Sequence, residues 1–312
     1  MRAALAVAKG RWSTACRIAA ATILLLLAAR PAEAADLVLD EADGPYVNGT
    51  INGVPVRLKV EFDHVEGITL NPDAAARAGL SEGDGAWIER IGPVRLEGRS
   101  AKLRLTIAGV ETRARIRWRG SPAAMGADGA ISVHSLPFDS VTLHRAAAGP
   151  GERELSFPTR LHDNHGIHYR LPVGKNRIAI RFSLERPRTT APAAAAAVIA
   201  QQQGGQLGQE RSLEEIAPGV ERPVRVLRLT RPLPVGGLSV PVLMARTADF
   251  RGEHQLTWAE TPSGEGEIIV TGALPSQEAL YRITLGLDVL GRCSSATYRR
   301  RTGELRLRCA QD

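Results

Sequence analysis

Gly53-Val54-Pro55-Val56-Arg57-Leu58-Lys59-Val60-Glu61-Phe62-Asp63 alternates apolar and polar residues and ends on a carboxylate; 120 positions later Ile178-Ala179-Ile180-Arg181-Phe182-Ser183 repeats the pattern with a hydroxyl in the acid's place. Period-two alternation is the signature of a strand. At the same ungapped offset Thr69 answers Thr189 and Pro72 answers Pro192, and each proline opens an alanine-rich run, 73–78 and 193–200, followed by Gly79 or Gly204. Proline at a helix start and glycine beyond its end is the expected asymmetry. Each half of the chain is therefore predicted to run strand, loop, short helix, as an internal repeat.

Outward from that repeat, segments 47–51, 54–62, 94–96, 103–107, 112–118 and 141–143 have strand character and are punctuated by Asn52-Gly53 and Ala108-Gly109. Such spacing predicts a small barrel or sandwich. The second half predicts strands at 167–173, 177–182, 224–229, 238–244, 255–258, 267–270 and 282–285, with a Gln, Gly and Glu-rich surface loop at 201–218 that could border a groove between the halves. The polar stretch near 148–165 is read as a linker.

Residues 1–34 have the order of an export signal: Arg2, Lys9, Arg11 and Arg17 lead, an apolar run covers 18–29, and Ala32-Glu33-Ala34 offers a small-x-small cleavage site. An uncleaved anchor is the alternative. The 312-residue chain carries a formal charge of +7, and removing that leader's five basic residues and one acid leaves +3. So modest a charge gives a nucleic-acid partner little support, and no later apolar run is long enough to span a bilayer. Cys293 and Cys309 flank two short strand-like runs joined through Thr302-Gly303, which predicts a hairpin closed by a disulfide in an oxidising compartment. The chain is expected to be exported, periplasmic or secreted.

The stretch 53–63, with Ile68-Thr69-Leu70-Asn71-Pro72 and the helix after it, resembles the first active-site strand of retropepsin-like aspartic peptidases, including bacterial secreted members. Ile283-Thr284-Leu285-Gly286-Leu287-Asp288-Val289-Leu290 is similar to that family's hydrophobic-hydrophobic-Gly-x-Asp segment near the end of a lobe, with a weaker copy at residues 126–132. The resemblance implies a mainly β fold of two tandem retropepsin-like closed β-barrel lobes, each with a short helix, at 36–147 and 166–312. It implies Asp63 as the candidate catalytic acid with Ser183 at the equivalent second-lobe position, and a cleft lined by His64, Thr69, Ser183, Glu185 and Thr189.

An aspartic peptidase needs two carboxylates sharing a proton, one to activate water and one to polarise the carbonyl. Ser183 cannot supply the second, and His64-Val65 replaces the family's Thr-Gly after the acid. The expectation is a degenerate site that binds an extended peptide or protein segment. The alternatives are an active aspartic endopeptidase, with Glu66 or Glu185 substituting or with Asp63 supplied twice by a homodimer, and a cell-envelope structural or assembly factor.

Two other clusters bear on function. Arg113, Arg115, Arg117 and Arg119 alternate with Ala114, Ile116 and Trp118, which predicts a basic strand face that is either solvated, protective of a sheet edge, or in contact with an anionic envelope surface. His144, His162, His165 and His168 have the residue type of a zinc site, but three-residue spacing in an extended segment sends side chains to different faces. Linker histidines are the preferred reading. No cofactor and no metal site are assigned.

Overall fold

The computed structural model describes residues 36–65, 67–80, 85–91, 94–162, 166–217, 220–247 and 281–311. The leader, Glu66, His165 and the strands expected at 255–258 and 267–270 lie outside them. Residues Asp36–Asp312 form one compact unit.

The first half builds a closed barrel. β2 (Tyr46–Ile51) and β3 (Val54–Glu61) form a hairpin through Asn52 and Gly53, whose φ values of 51° and 78° are those a tight two-residue turn requires. β3 pairs in parallel with β8 (Gly129–Ser132), which lies antiparallel to β4 (Ile68–Leu70); β4 runs parallel to β7 (Val110–Arg119), and β7 pairs with β6 (Val94–Ile107). β6 returns to β2 and closes the ring of six, while β5 (Gly85–Ile91) extends it beyond β6. Closure depends on a close approach at Gly49, where a β-carbon would lie 2.3 Å from the Thr106 carbonyl oxygen.

The same pairing scheme recurs around the second alternating segment. β12 (Asn176–Phe182) runs parallel to β17 (Arg282–Leu285), which lies antiparallel to β13 (Thr190–Ala191), and β13 runs parallel to β16 (Leu238–Arg246). Helices α1 (Pro72–Arg77) and α2 (Ala193–Gln203) follow β4 and β13, each opened by the anticipated proline.

Among the described residues these second-half strands do not close on themselves. They belong to a 12-stranded open sheet in the order β1-β9-β18-β19-β10-β11-β12-β17-β13-β16-β15-β14, which also takes β1 (Asp36–Asp40) and β9 (Ser140–His144) from the first half. The other members are β10 (Arg153–His162), β11 (Gly166–Val173), β14 (Gly205–Ala217), β15 (Val220–Val235), β18 (Cys293–Arg299) and β19 (Glu304–Cys309).

Three sequence expectations are corrected. The stretch 148–165, read as a linker, contains β10, because Leu155 and Phe157 alternate into the core and Phe157 packs on Tyr169 and Phe182 at 5.5 and 4.9 Å. The polar segment 201–218, read as a loop, completes α2 and then forms β14, which gains its backbone partners from β15. The runs at 94–96 and 103–107 belong to one strand, β6, whose polar middle is held between β5 and β7. Cys293 and Cys309 face each other across β18–β19 with their sulfurs 2.08 Å apart, and the disulfide is buried.

Candidate functional site

β3 turns Leu58, Val60 and Phe62 into the core, so Lys59, Glu61 and Asp63 share its other face and are half-buried. β12 and the loop beyond it meet that face. Arg181 Nη2 donates to the Asp63 carbonyl oxygen at 2.5 Å and lies 3.6 Å from Asp63 Oδ2, while Arg186 Nε donates to the same carboxylate oxygen at 3.4 Å. Asp63, only 11% exposed at its side chain, is thus held between two guanidinium groups from the other half of the repeat. By the constant offset Arg181 occupies the place of Glu61. The two halves therefore meet as acid against cation rather than acid against acid.

Ser183 does not face Asp63 as a free hydroxyl. It is fully buried, its backbone N–H donates to Leu285 O at 2.9 Å, and its Oγ accepts the Arg186 backbone N–H at 3.2 Å. Arg186 reaches in two directions, since its Nη1 also donates to Glu215 O of β14 at 2.9 Å. The polar segment predicted to border a groove thus touches the group that holds Asp63.

Around this clamp lie the other expected residues. Lys59 Nζ donates to Glu185 Oε2 at 2.5 Å, a second ion pair between the halves. Burial pushes the Glu185 carboxyl up to about 7, Glu61 and Asp63 add to the rise, and Lys59 opposes it. Burial alone would pull the Lys59 ammonium down, but its bond to Glu185 holds it above the ordinary lysine value.

His64 Nδ1 lies 3.3 Å from Glu61 Oε2, and His64 Nε2 shares a 3.1 Å hydrogen bond with Thr69 Oγ1. Carboxylate, imidazole and hydroxyl in that order is the geometry of an activated nucleophile. Thr69 is buried at 1% exposure, however, so no substrate reaches its hydroxyl, and the chain of contacts ties the loop after β3 to β4. Nearby His134 shares a 2.5 Å hydrogen bond with Ser132, and burial, aided by the His64 charge, depresses its imidazole to about 4.

Thr189 is separate from this cluster. Its hydroxyl and backbone N–H donate to the Asp288 carboxylate at 2.8 and 2.9 Å, and its Oγ1 accepts the Gly286 N–H at 3.1 Å. The two threonines that the repeat equates therefore brace different loops. The sequence reasoning missed Arg181, Arg186 and Glu61, and reached Asp288 only as the acid of the Gly-x-Asp segment that the resemblance supplies. Alternation along 177–183 already carried a signal for Arg181, a cation at the repeat position of an acid.

On the barrel's outer side, Arg113 and Arg115 are exposed, Arg117 is half-buried and Arg119 is buried; Arg117 and Arg119 stand 5.5 and 5.7 Å from the Trp87 ring centre. β4 pairs with β7 only at 116–118, so among the described residues Arg113 and Arg115 lie where β7 pairs with β6 alone and the edge-protection reading stands for that stretch, while Arg117 lies within the paired part. Among the described residues no group of three or more His, Cys, Asp or Glu is placed to hold a metal; His162 and His168 have ring centres 6.5 Å apart, and His144 sits on β9. Nor is any described helix long and apolar enough to cross a membrane. The chain matches no protein-family model and no curated protein sequence.

Proposed function

We propose that the chain is an exported aspartic-peptidase-like protein, periplasmic or secreted, whose two retropepsin-like lobes are joined by an ionic lock and form a non-catalytic binding module. The observation that carries this reading is the Asp63 carboxylate held at 3.4 and 3.6 Å by Arg186 and Arg181, with a buried serine where the second acid belongs. Water activation by a shared-proton carboxylate pair has no partner in that arrangement. The recurrence of strand pairing in both halves supports the two-lobe reading, the second lobe being opened into the large sheet. The ligand is an extended peptide or protein segment added alongside β14, the terminal strand of that sheet, where main-chain hydrogen bonds supply affinity.

The test is incubation of the purified protein with a diverse peptide mixture at acid and neutral pH, with products read by mass spectrometry and bound peptides by crosslinking. Crosslinks to β14 without cleavage are expected. Hydrolysis abolished by Asp63→Asn would overturn the reading.

One observation favours the active alternative. Burial raises the Glu185 carboxyl to about 7, with Glu61 and then Asp63 adding to the rise and Lys59 opposing it, and a carboxyl that titrates near neutrality can give or take a proton. That alternative requires cleavage to vanish in both Asp63→Asn and Glu185→Gln.

A further inference from the structure

The face of the barrel formed by β6 and β7 carries a cluster of exposed cations, of which Arg115 also donates to Ser100 Oγ at 2.9 Å. In their antiparallel register Arg104 lies directly opposite Arg113, and Lys102 directly opposite Arg115. All four are exposed, with Arg104 82% exposed at its side chain. Like charges directly opposite each other across a strand pair destabilise it. Arg104 reaches Glu111 at 3.7 Å, but that contact is 70–82% exposed and contributes little. Among the described residues 101–104 of β6 and 110–115 of β7 pair only with each other, so these four cations stand on a two-stranded ribbon whose outer edges meet no other described strand.

The array is two-dimensional. Along each strand the cations recur every second residue, about 7 Å apart, and the two rows lie on strands roughly 5 Å apart. At one end Trp87 stands beside Arg117 and Arg119, an amphipathic ring bordering the charged patch. Two rows on an open sheet face suit a surface of closely spaced anions better than a single threaded polymer, and a tryptophan beside arginines is the residue pair that favours a membrane–water interface.

We infer that the β6–β7 face is a docking surface for an anionic lipid membrane, engaging phosphate headgroups through Lys102, Arg104, Arg113 and Arg115. The attraction is electrostatic, so the surface binds reversibly and no segment inserts. This stands independently of whether the junction around Asp63 binds peptide.

The test is co-sedimentation of the full chain with phosphatidylcholine vesicles with and without phosphatidylglycerol. The apolar run at 18–29 is common to all variants, so differences between them report on the face. Removing three cations in Lys102→Gln/Arg104→Gln/Arg113→Gln is expected to weaken binding to the anionic vesicles about 100-fold, at roughly fivefold per residue, without lowering thermal stability. Arg104→Lys/Arg113→Lys, which keeps the charge, is expected to bind within a few fold of the parent. Binding of the parent is expected to collapse between low and high salt as the screening length shrinks from about 10 Å at 0.1 M to about 3 Å at 1 M. Undiminished binding by the triple variant at low salt, or the same loss of binding with salt in the parent and the triple variant, overturns the inference. So does retention on soluble polyphosphate with no retention on vesicles.

Discussion

Replacing Asp63 by Asn separates a structural clamp from a catalytic acid. The substitution keeps size and shape, opens no cavity, and removes only the negative charge between Arg181 and Arg186. The contacts, at 3.4 and 3.6 Å, are longer than the 2.7–2.9 Å of a tight charge-assisted hydrogen bond, so their worth is chiefly Coulombic. Breaking a fully buried pair costs about 3–5 kcal/mol. Two features reduce that figure here: Arg186 is 31% exposed, and both guanidiniums keep a carbonyl acceptor, Arg181 at Asp63 O and Arg186 at Glu215 O. The expected loss is therefore about 2 kcal/mol, roughly 30-fold in the folding constant. For a unit of this size that lowers the melting temperature by about 4–8 °C. Calorimetry at neutral pH checks it, and a cycle with Arg186→Gln should show a coupling of about 1 kcal/mol between the two positions. An Asp63→Asn protein as stable as the parent, or more so, would refute the clamp, because gain of stability on removal is the behaviour of a strained functional residue.

Three further outcomes follow from neighbouring contacts. A carboxyl raised above its unfolded value of 4.5 favours folding while protonated, so the Glu185 contribution is full below about 4.5 and is lost as pH rises towards about 7; Glu185→Gln should remove that slope in denaturation midpoints measured across the window. His134 works in the opposite sense, its depressed imidazole costing stability as pH falls from 6.5 to about 4, so comparison with His134→Asn is needed to isolate the two slopes. Reducing Cys293–Cys309, which closes a span of 16 residues, should cost about 3 kcal/mol in urea unfolding, and an unchanged midpoint would mean the hairpin is held by pairing alone. Gly286→Ala would place a β-carbon 2.5–2.6 Å from the Arg188 carbonyl group, and the forced backbone shift should cost about 3 kcal/mol or more by thermal melting, with loss of the Gly286–Thr189 hydrogen bond.

Much of the barrel was legible because its signals are local. Asn52-Gly53 and Ala108-Gly109 mark the two hairpin turns, alternation marks β3 and β12, and the prolines at 72 and 192 mark the starts of both helices. β14 was not legible. Its few apolar side chains, Leu207, Leu213 and Ile216, are widely spaced and none is fully buried, so no apolar period distinguishes it from a loop. β10 was hidden for a related reason: only Leu155 and Phe157 reach the core within ten residues.

The candidate site divides along the same line. The sequence by itself determined that Asp63 ends an alternating strand, that its repeat mate is Ser183, and that a symmetric acid pair is therefore missing, since these depend only on residue type and spacing. Tertiary structure alone decided what stands in the missing acid's place. Arg181 and Arg186 lie 118 and 123 residues from Asp63, and although the repeat sets a cation at 181 against the acid at 61, neither period nor composition shows that it reaches Asp63. It arises because parallel pairing of β12 with β17 and the turn after β12 deliver two guanidiniums to the polar face of β3.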